Sequence, residues 1–263
     1  MDMASQFRHV RFSGVDIGTY MARCFRFAQL YWPLVPRANL ITIVPIATRR
    51  PHSNAHFEIL DVTQPLRWPD GVMDLVHARN ISLAACFLTM ILCSLSPFRE
   101  QVPNYPEMLR EAARVLRRGG IFFSGEIGRS VAFAHGYPGN PAVDAPGATR
   151  FFEVVNDLLE FVGLDEISGH IPHWLRATRT FAGGRIQDYP IPIGEWHRCP
   201  LQKALGRAHL NALAMFADSL RPFLRDRGVT EREIGRLIGG LVRDMRNVRG
   251  LVSVYRTVWA VKA

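Results

Sequence analysis

Residues able to do chemistry stand, in this 263-residue chain, at the ends of short β-branched runs. Asp16-Ile17-Gly18-Thr19 closes the first run, Thr42 lies in the second, and Asp61-Val62 follows the third. His77-Ala78-Arg79 ends the fourth run and Ser124-Gly125-Glu126 ends the fifth. In an open α/β sheet ligands bind outside the carboxyl ends of the strands, so these positions are the ones that reach a ligand. Arg79 at a strand end needs an anionic partner, which a ligand or an internal salt bridge can supply. Glu126 could orient a substrate or act as a base, and an exposed strand-end acid is the alternative. Asp61 reads equally as a turn cap before Thr63-Gln64-Pro65, and His77 as a satisfied core histidine.

Other chemistries lack their residues. His170-Ile171-Pro172-His173 has the spacing of a metal pair, but the proline spoils a regular helical face and no third ligand is near, so no metal site is expected. There is no Gly-x-x-x-x-Gly-Lys phosphate loop, no Gly-x-Gly-x-x-Gly after the first run and no Gly-x-Ser-x-Gly elbow. Cys24, Cys86, Cys93 and Cys199 form no Cys-x-x-Cys pair. They read as small buried hydrophobes of a reducing compartment.

The elements that must position the strand-end residues alternate along the first half. Strands are expected over 10–17, 39–44, 56–60, 73–78 and 121–126, with helices at 20–31 and 105–117, the pattern of a parallel α/β sheet. Gly119-Gly120 reads as the stop of the second helix. Residues 135–147, rich in Gly and Pro, are expected as a long loop at the edge of a site. Helices then fit 150–161 and 172–178, and a strand fits 185–189. Two long helices fill 200–248, broken at Arg227-Gly228-Val229 with Thr230 as N-cap of the second. The run 252–261 suits a last, antiparallel strand. The uncharged segment 81–96 is shorter than the roughly 18 to 20 apolar residues a spanning helix needs, and reads as buried.

Composition narrows the class further. Hydrophobic residues make up 48% and charged ones 21%, which fits a globular core and excludes intrinsic disorder. Lys+Arg 32 against Asp+Glu 23 gives +9, almost all of it arginine, since lysine occurs only at Lys203 and Lys262. The arginines are scattered and sit beside acids, as in Glu231-Arg232-Glu233, instead of forming a basic stripe. No specific nucleic-acid partner is expected, and no membrane. The opening MDMASQFRHVRFSG has no apolar signal core, so a cytoplasmic location is expected.

From residue 54 to 126 the chain resembles class I S-adenosylmethionine-dependent methyltransferases, especially a fungal group. The pieces are NAHFEILDV, WPDGVMDLVHARN and YPEMLREAARVLRRGGIFFSGE, with PIGEWH at 192–197 and the paired helices after it. The resemblance implies an α/β, doubly wound, mostly parallel Rossmann-like sheet with an inserted C-terminal helical pair. It implies one domain over 1–263, with a cofactor half (1–130) and a substrate half (131–263) that includes helices 200–248 and a last strand at 252–261. It also implies a shortened N-terminus and an insertion at 82–103.

The same resemblance assigns roles. Asp16, Gly18 and Thr19 stand in the family's acidic glycine loop, although Tyr20 and Ala22 replace its other two glycines, where a side chain at positive φ costs roughly 1–2 kcal/mol. Thr42 takes the place of the acid that binds the ribose, and offers a single hydroxyl instead of a carboxylate. Asp61 matches the acid at the adenine amino group, Val62 the adjacent N–H, and His77 and Arg79 the strand end facing cofactor and substrate. The implied reaction is methyl transfer from S-adenosylmethionine to a small-molecule acceptor. The replaced glycines support a second reading, a methyltransferase-like interaction or regulatory protein without catalysis.

Overall fold

The computed structural model describes residues 12–16, 55–59, 65–81 and 105–263. The helix expected at 20–31, the strand at 39–44 and the uncharged segment from residue 82 onward lie outside the described residues. Strand β1 (Phe12–Asp16) pairs in parallel with β2 (Ala55–Ile59). The larger sheet is built around β7 (Leu251–Lys262), whose Val, Thr, Tyr and Trp residues fit a pleated surface. On one side of β7 lies β4 (Leu116–Ile127), followed in parallel by β3 (Met73–Arg79); on the other lies β6 (Phe181–Pro192). The short β5 (Ala132–Phe133) pairs with the start of β7. Because β7 is antiparallel to both β4 and β6, strands β3, β4 and β6 share one direction and the last strand runs back between them. This is the expected α/β sheet with its reversed final strand.

Helix α1 (Tyr105–Val115) covers one face of the sheet. Its buried residues Tyr105, Leu109, Ala112 and Val115 recur at helical spacing and meet Val76, Ala78, Phe122, Val258 and Ala260. Burying each large side chain contributes about 1.5–3 kcal/mol. Arg114 ties the helix to the turn before β3, donating to Glu111, to Asp70 and to the carbonyls of Leu66 and Trp68. The helix ends at Val115, two residues before the expected end at Arg117, and Gly119-Gly120 belong to the strand. Met73 pairs with Leu116 and Leu75 with Ile121, so residues 117–120 bulge out of the ladder. Gly119 supplies the positive φ of +75° that this bulge requires.

Helix α4 (Ile171–Ala177) adds Ile171 and Leu175 to the core under α1, and a second core joins α3 (Pro146–Phe161), α5 (Pro200–Ser219), α6 (Arg221–Asp226) and α7 (Glu231–Asn247). Phe151, Phe152, Val155 and Leu159 of α3 face Ile234, Leu237, Ile238 and Leu241 of α7. The Asp244 carboxylate on α7 accepts from the N–H groups of Gly147 (2.6 Å) and Ala148 (3.0 Å), capping α3 from another helix. Thr230 caps α7 as expected, its hydroxyl accepting from the Glu233 N–H at 3.3 Å. The expected pair of long helices is three pieces, because Pro222 has no N–H and its ring excludes the carbonyl four residues back, which breaks the helix at Leu220. The loop expected at 135–147 contains α2 (Pro141–Asp144), capped by the Asn140 side chain, which accepts from the Ala142 N–H at 3.0 Å. Cys199, read as a buried hydrophobe, is exposed beside His197 at the start of α5.

Candidate functional site

The tips of β3 and β4 are adjacent, with Ala78 paired to Ser124 and Arg79 to Gly125. The Asn80 N–H extends the ladder by one bond, donating to the Gly125 carbonyl at 2.9 Å. Asn80 then turns the chain with φ of +49°, a left-handed conformation that asparagine tolerates better than most residues. Immediately after the turn, the Ile81 N–H donates to Glu126 Oε1 at 2.9 Å. Glu126 is therefore a fully buried acid that holds the turn, which corrects the reading of it as an exposed strand-end carboxylate. Its charge is felt by two phenols. Burial, and then Glu126, push the Tyr105 hydroxyl well above its ordinary range, while a 2.8 Å hydrogen bond with Ser124 Oγ works the other way.

Tyr255 shapes the opposite face. Glycine at 125 lets its ring lie over β4, since a Cβ there would run into the hydroxyl and lie 2.7 Å from Cζ. The hydroxyl reaches the Arg79 guanidinium, which favours its ionised form by hydrogen bond and charge, but burial outweighs this and the phenol stays raised. Both tyrosines keep their protons at neutral pH, and Tyr255 accepts from Arg79. His77, on the same face as Arg79, meets the edge of Phe123 at 5.0 Å. Asn80 Oδ1 is buried and, among the described residues, has no hydrogen-bond partner. Such an atom is open to an N–H donor.

Of the residues singled out in the sequence, His77, Arg79 and Glu126 are brought together here. Asp16 ends β1, where its backbone is in register with Ile59 of β2. Gly18, Thr19, Thr42, Asp61 and Val62 lie outside the described residues. Asn80 and Tyr255 were missed. Asparagine directly after a strand is a legible signal for a left-handed turn, whereas Tyr255 reaches the site only through a diagonal crossing of β4 that no local pattern announces. His170 of the His-x-x-His pair stacks on Trp174 at 5.5 Å, and among the described residues no group of three His, Cys, Asp or Glu side chains could hold a metal. Among the described residues, too, no helix is long and apolar enough to cross a membrane.

No protein-family model and no curated protein matches the sequence. Solved structures that resemble the chain include phosphoethanolamine N-methyltransferase 2 of Haemonchus contortus in complex with S-adenosyl-L-methionine, at 13% identity and a TM-score of 0.44. The match covers 98% of this chain and 44% of that one. Geranyl diphosphate C-methyltransferase from Streptomyces coelicolor A3(2), with Mg2+, geranyl diphosphate and S-adenosyl-L-homocysteine, matches at 11% identity and a TM-score of 0.40, over 99% and 68% of the two chains. The [4+2]-cyclase SpnF matches at 14% and 0.40, over 96% and 67%. The chain thus spans less than half of the first of these and about two thirds of the other two. The likeness assigns no reaction.

Proposed function

We propose that this chain is a class I methyltransferase of the fungal type, which transfers a methyl group from S-adenosylmethionine to a small-molecule acceptor. The observation that carries the reading is the tip of β3. A buried, unpartnered Asn80 Oδ1 stands beside Arg79, on a turn held by Glu126, where the family resemblance puts the strand end that meets cofactor and substrate. A cofactor with amino groups and a carboxylate fits that pair: the Asn80 oxygen accepts from an N–H, and the Arg79 guanidinium takes an oxyanion. In this proposal Asp16, Gly18 and Thr19 form the loop under the methionine end, Thr42 meets the ribose, Asp61 and Val62 the adenine, and His77 and Arg79 the strand-tip side. Residues 1–130 form the cofactor half and 131–263 the half that covers the acceptor.

When bound, the cofactor supplies an electrophilic methyl carbon on a sulfonium. The chain's contribution is positioning, with a general base needed only for an acceptor that must lose a proton. Glu126 is committed to the Ile81 N–H and serves as a positioning residue; Tyr255 Oη, protonated at neutral pH, accepts from Arg79 and steadies its guanidinium.

Calorimetric titration of the full chain with S-adenosylmethionine and S-adenosylhomocysteine tests the reading. Saturable binding is expected, weakened about tenfold by Asp61→Ala and by Asn80→Gly, a loss of about 1.4 kcal/mol that keeps the left-handed turn while removing the acceptor. A folded chain that binds neither compound would refute the proposal and favour the interaction-protein reading that Tyr20 and Thr42 support.

A further inference from the structure

We propose that the chain carries a second small-molecule site, a cationic cleft for a planar organic anion, meaning a carboxylate or phosphate on an aromatic body. The cleft is broadly open to solvent, has a volume of about 680 Å³ and is lined by Gly136 and Tyr137 from the segment after β5, His197 and Arg198 from the segment after β6, and Arg249 just before β7. That volume lies within the range of small-molecule pockets. The cleft opens at the same end of the sheet as the β3 tip. It is a separate place, because the five residues of extended chain between Gly250 and Tyr255 span about 16 Å.

The charge of the cleft is all of one sign. Several arginines in this half of the chain are matched with carboxylates: Arg207 with Glu195, Arg221 with Asp218, Arg256 with Asp188. Arg198 and Arg249 have no acidic partner among the described residues, and no acid lines the cleft. His197 adds a third donor. Its Nδ1 accepts from the Cys199 N–H at 3.1 Å, which fixes the tautomer and leaves the Nε2 proton for a ligand. Two planar guanidinium forks and an imidazole N–H match an oxyanion.

The aromatic wall is held in place. The base of the Tyr137 side chain packs on Gly250, whose φ is +87° and where a Cβ would lie 2.5 Å from Tyr137 Cγ. Its ring makes a T-shaped contact with Trp196, centroids 4.8 Å apart, and the Trp196 indole donates to the Leu251 carbonyl at 3.0 Å. The Ala134 N–H donates to the Gly250 carbonyl at 2.8 Å, and the Ile193 N–H to the Leu251 carbonyl at 2.9 Å, so the walls are fixed to one another by backbone bonds. A fixed ring beside fixed donors gives a planar anion a surface for its body as well as for its charge.

The test is calorimetry on the full chain at low salt with benzoate, phenyl phosphate, benzamide and inorganic phosphate as probes. Saturable binding of benzoate or phenyl phosphate is expected, and the tighter of the two identifies the anion class. Benzamide, uncharged, should bind at least about tenfold more weakly. Arg198→Gln and Arg249→Gln, both at exposed positions that leave the fold intact, should each weaken the charged probes about tenfold. Tyr137→Leu should weaken the phenyl probes about fivefold and leave inorganic phosphate unchanged. Benzamide binding as well as benzoate, indifference to both arginine variants, or inorganic phosphate binding as well as phenyl phosphate overturns the proposal. So does loss of probe binding in Arg79→Gln, which would place the probes at the β3 tip. None of these readouts depends on S-adenosylmethionine, so the two proposals fail separately.

Discussion

His209 should make this protein sensitive to mild acid. The imidazole lies on α5, 2% exposed, with Nε2 at 3.0 Å from Ser253 Oγ on β7. Burial pushes its pKa down from the usual 6.5 to about 4. In the unfolded chain the same ring takes up a proton near pH 6.5. Between those two values the unfolded state is protonated and the folded state is not, so stability falls as pH drops through the window and recovers as it rises. At about 1.4 kcal/mol for each pH unit of that gap, the full loss below pH 4 is about 3 kcal/mol, a large share of a domain's stability. Urea denaturation at pH 7.5, 6.5, 5.5 and 4.5 measures it, with His209→Gln as the comparison because it keeps a polar partner for Ser253 without titrating. Carboxylates contribute to the acid slope of both proteins, so the difference between the slopes isolates the histidine. The wild type should lose about 2 kcal/mol more than the variant between pH 6.5 and 4.5. Equal slopes, or a His209 titration near pH 6.5 by NMR in the folded protein, would refute the argument.

Three further changes probe the strand tips and the helical core. Gly125→Ala forces a methyl into the Tyr255 ring and should cost about 1–3 kcal/mol in urea denaturation, with a smaller loss in a Tyr255→Leu background, where the collision is relieved. Glu126→Ala strips the Ile81 N–H of its buried acceptor and should cost about 2 kcal/mol, Glu126→Gln less than half of that, since an amide oxygen can still accept. Asp244→Ala removes the acceptor for both Gly147 and Ala148 and should cost about 2 kcal/mol, with hydrogen exchange accelerating first in the opening turn of α3.

How much of this was legible in the sequence depended on the range of the interaction. Thr230 before an acidic first turn, and Gly228 just ahead of it, marked the start of α7 by local chemistry alone. The β-branched run at the C-terminus marked β7, and the strand-end position of Arg79 marked the candidate site. Local signals also misled. Gly119-Gly120 after a helical stripe has the form of a helix stop, yet its positive φ serves a bulge that exists only because β3 lies alongside. Pro222 and the Asn140-Pro141 pair carried information that was passed over, because four- and six-residue helices are too short to show a periodic stripe. Tyr255 over Gly125, His209 against Ser253 and the Arg198–Arg249 cleft each join residues from distant elements. No window of sequence contains them.

The cap that Asp244 places on α3 has a consequence for timing during synthesis. Gly147 and Asp244 are 97 residues apart, so α3 leaves the ribosome with its first turn open and its stripe of Phe151, Phe152 and Leu159 uncovered. At roughly 5–20 residues per second the partner helix follows about 5–20 s later. For that interval the apolar stripe is a client for whatever chaperone holds the nascent chain. A ribosome that stalls before residue 244 therefore exposes an apolar stripe that the finished protein hides.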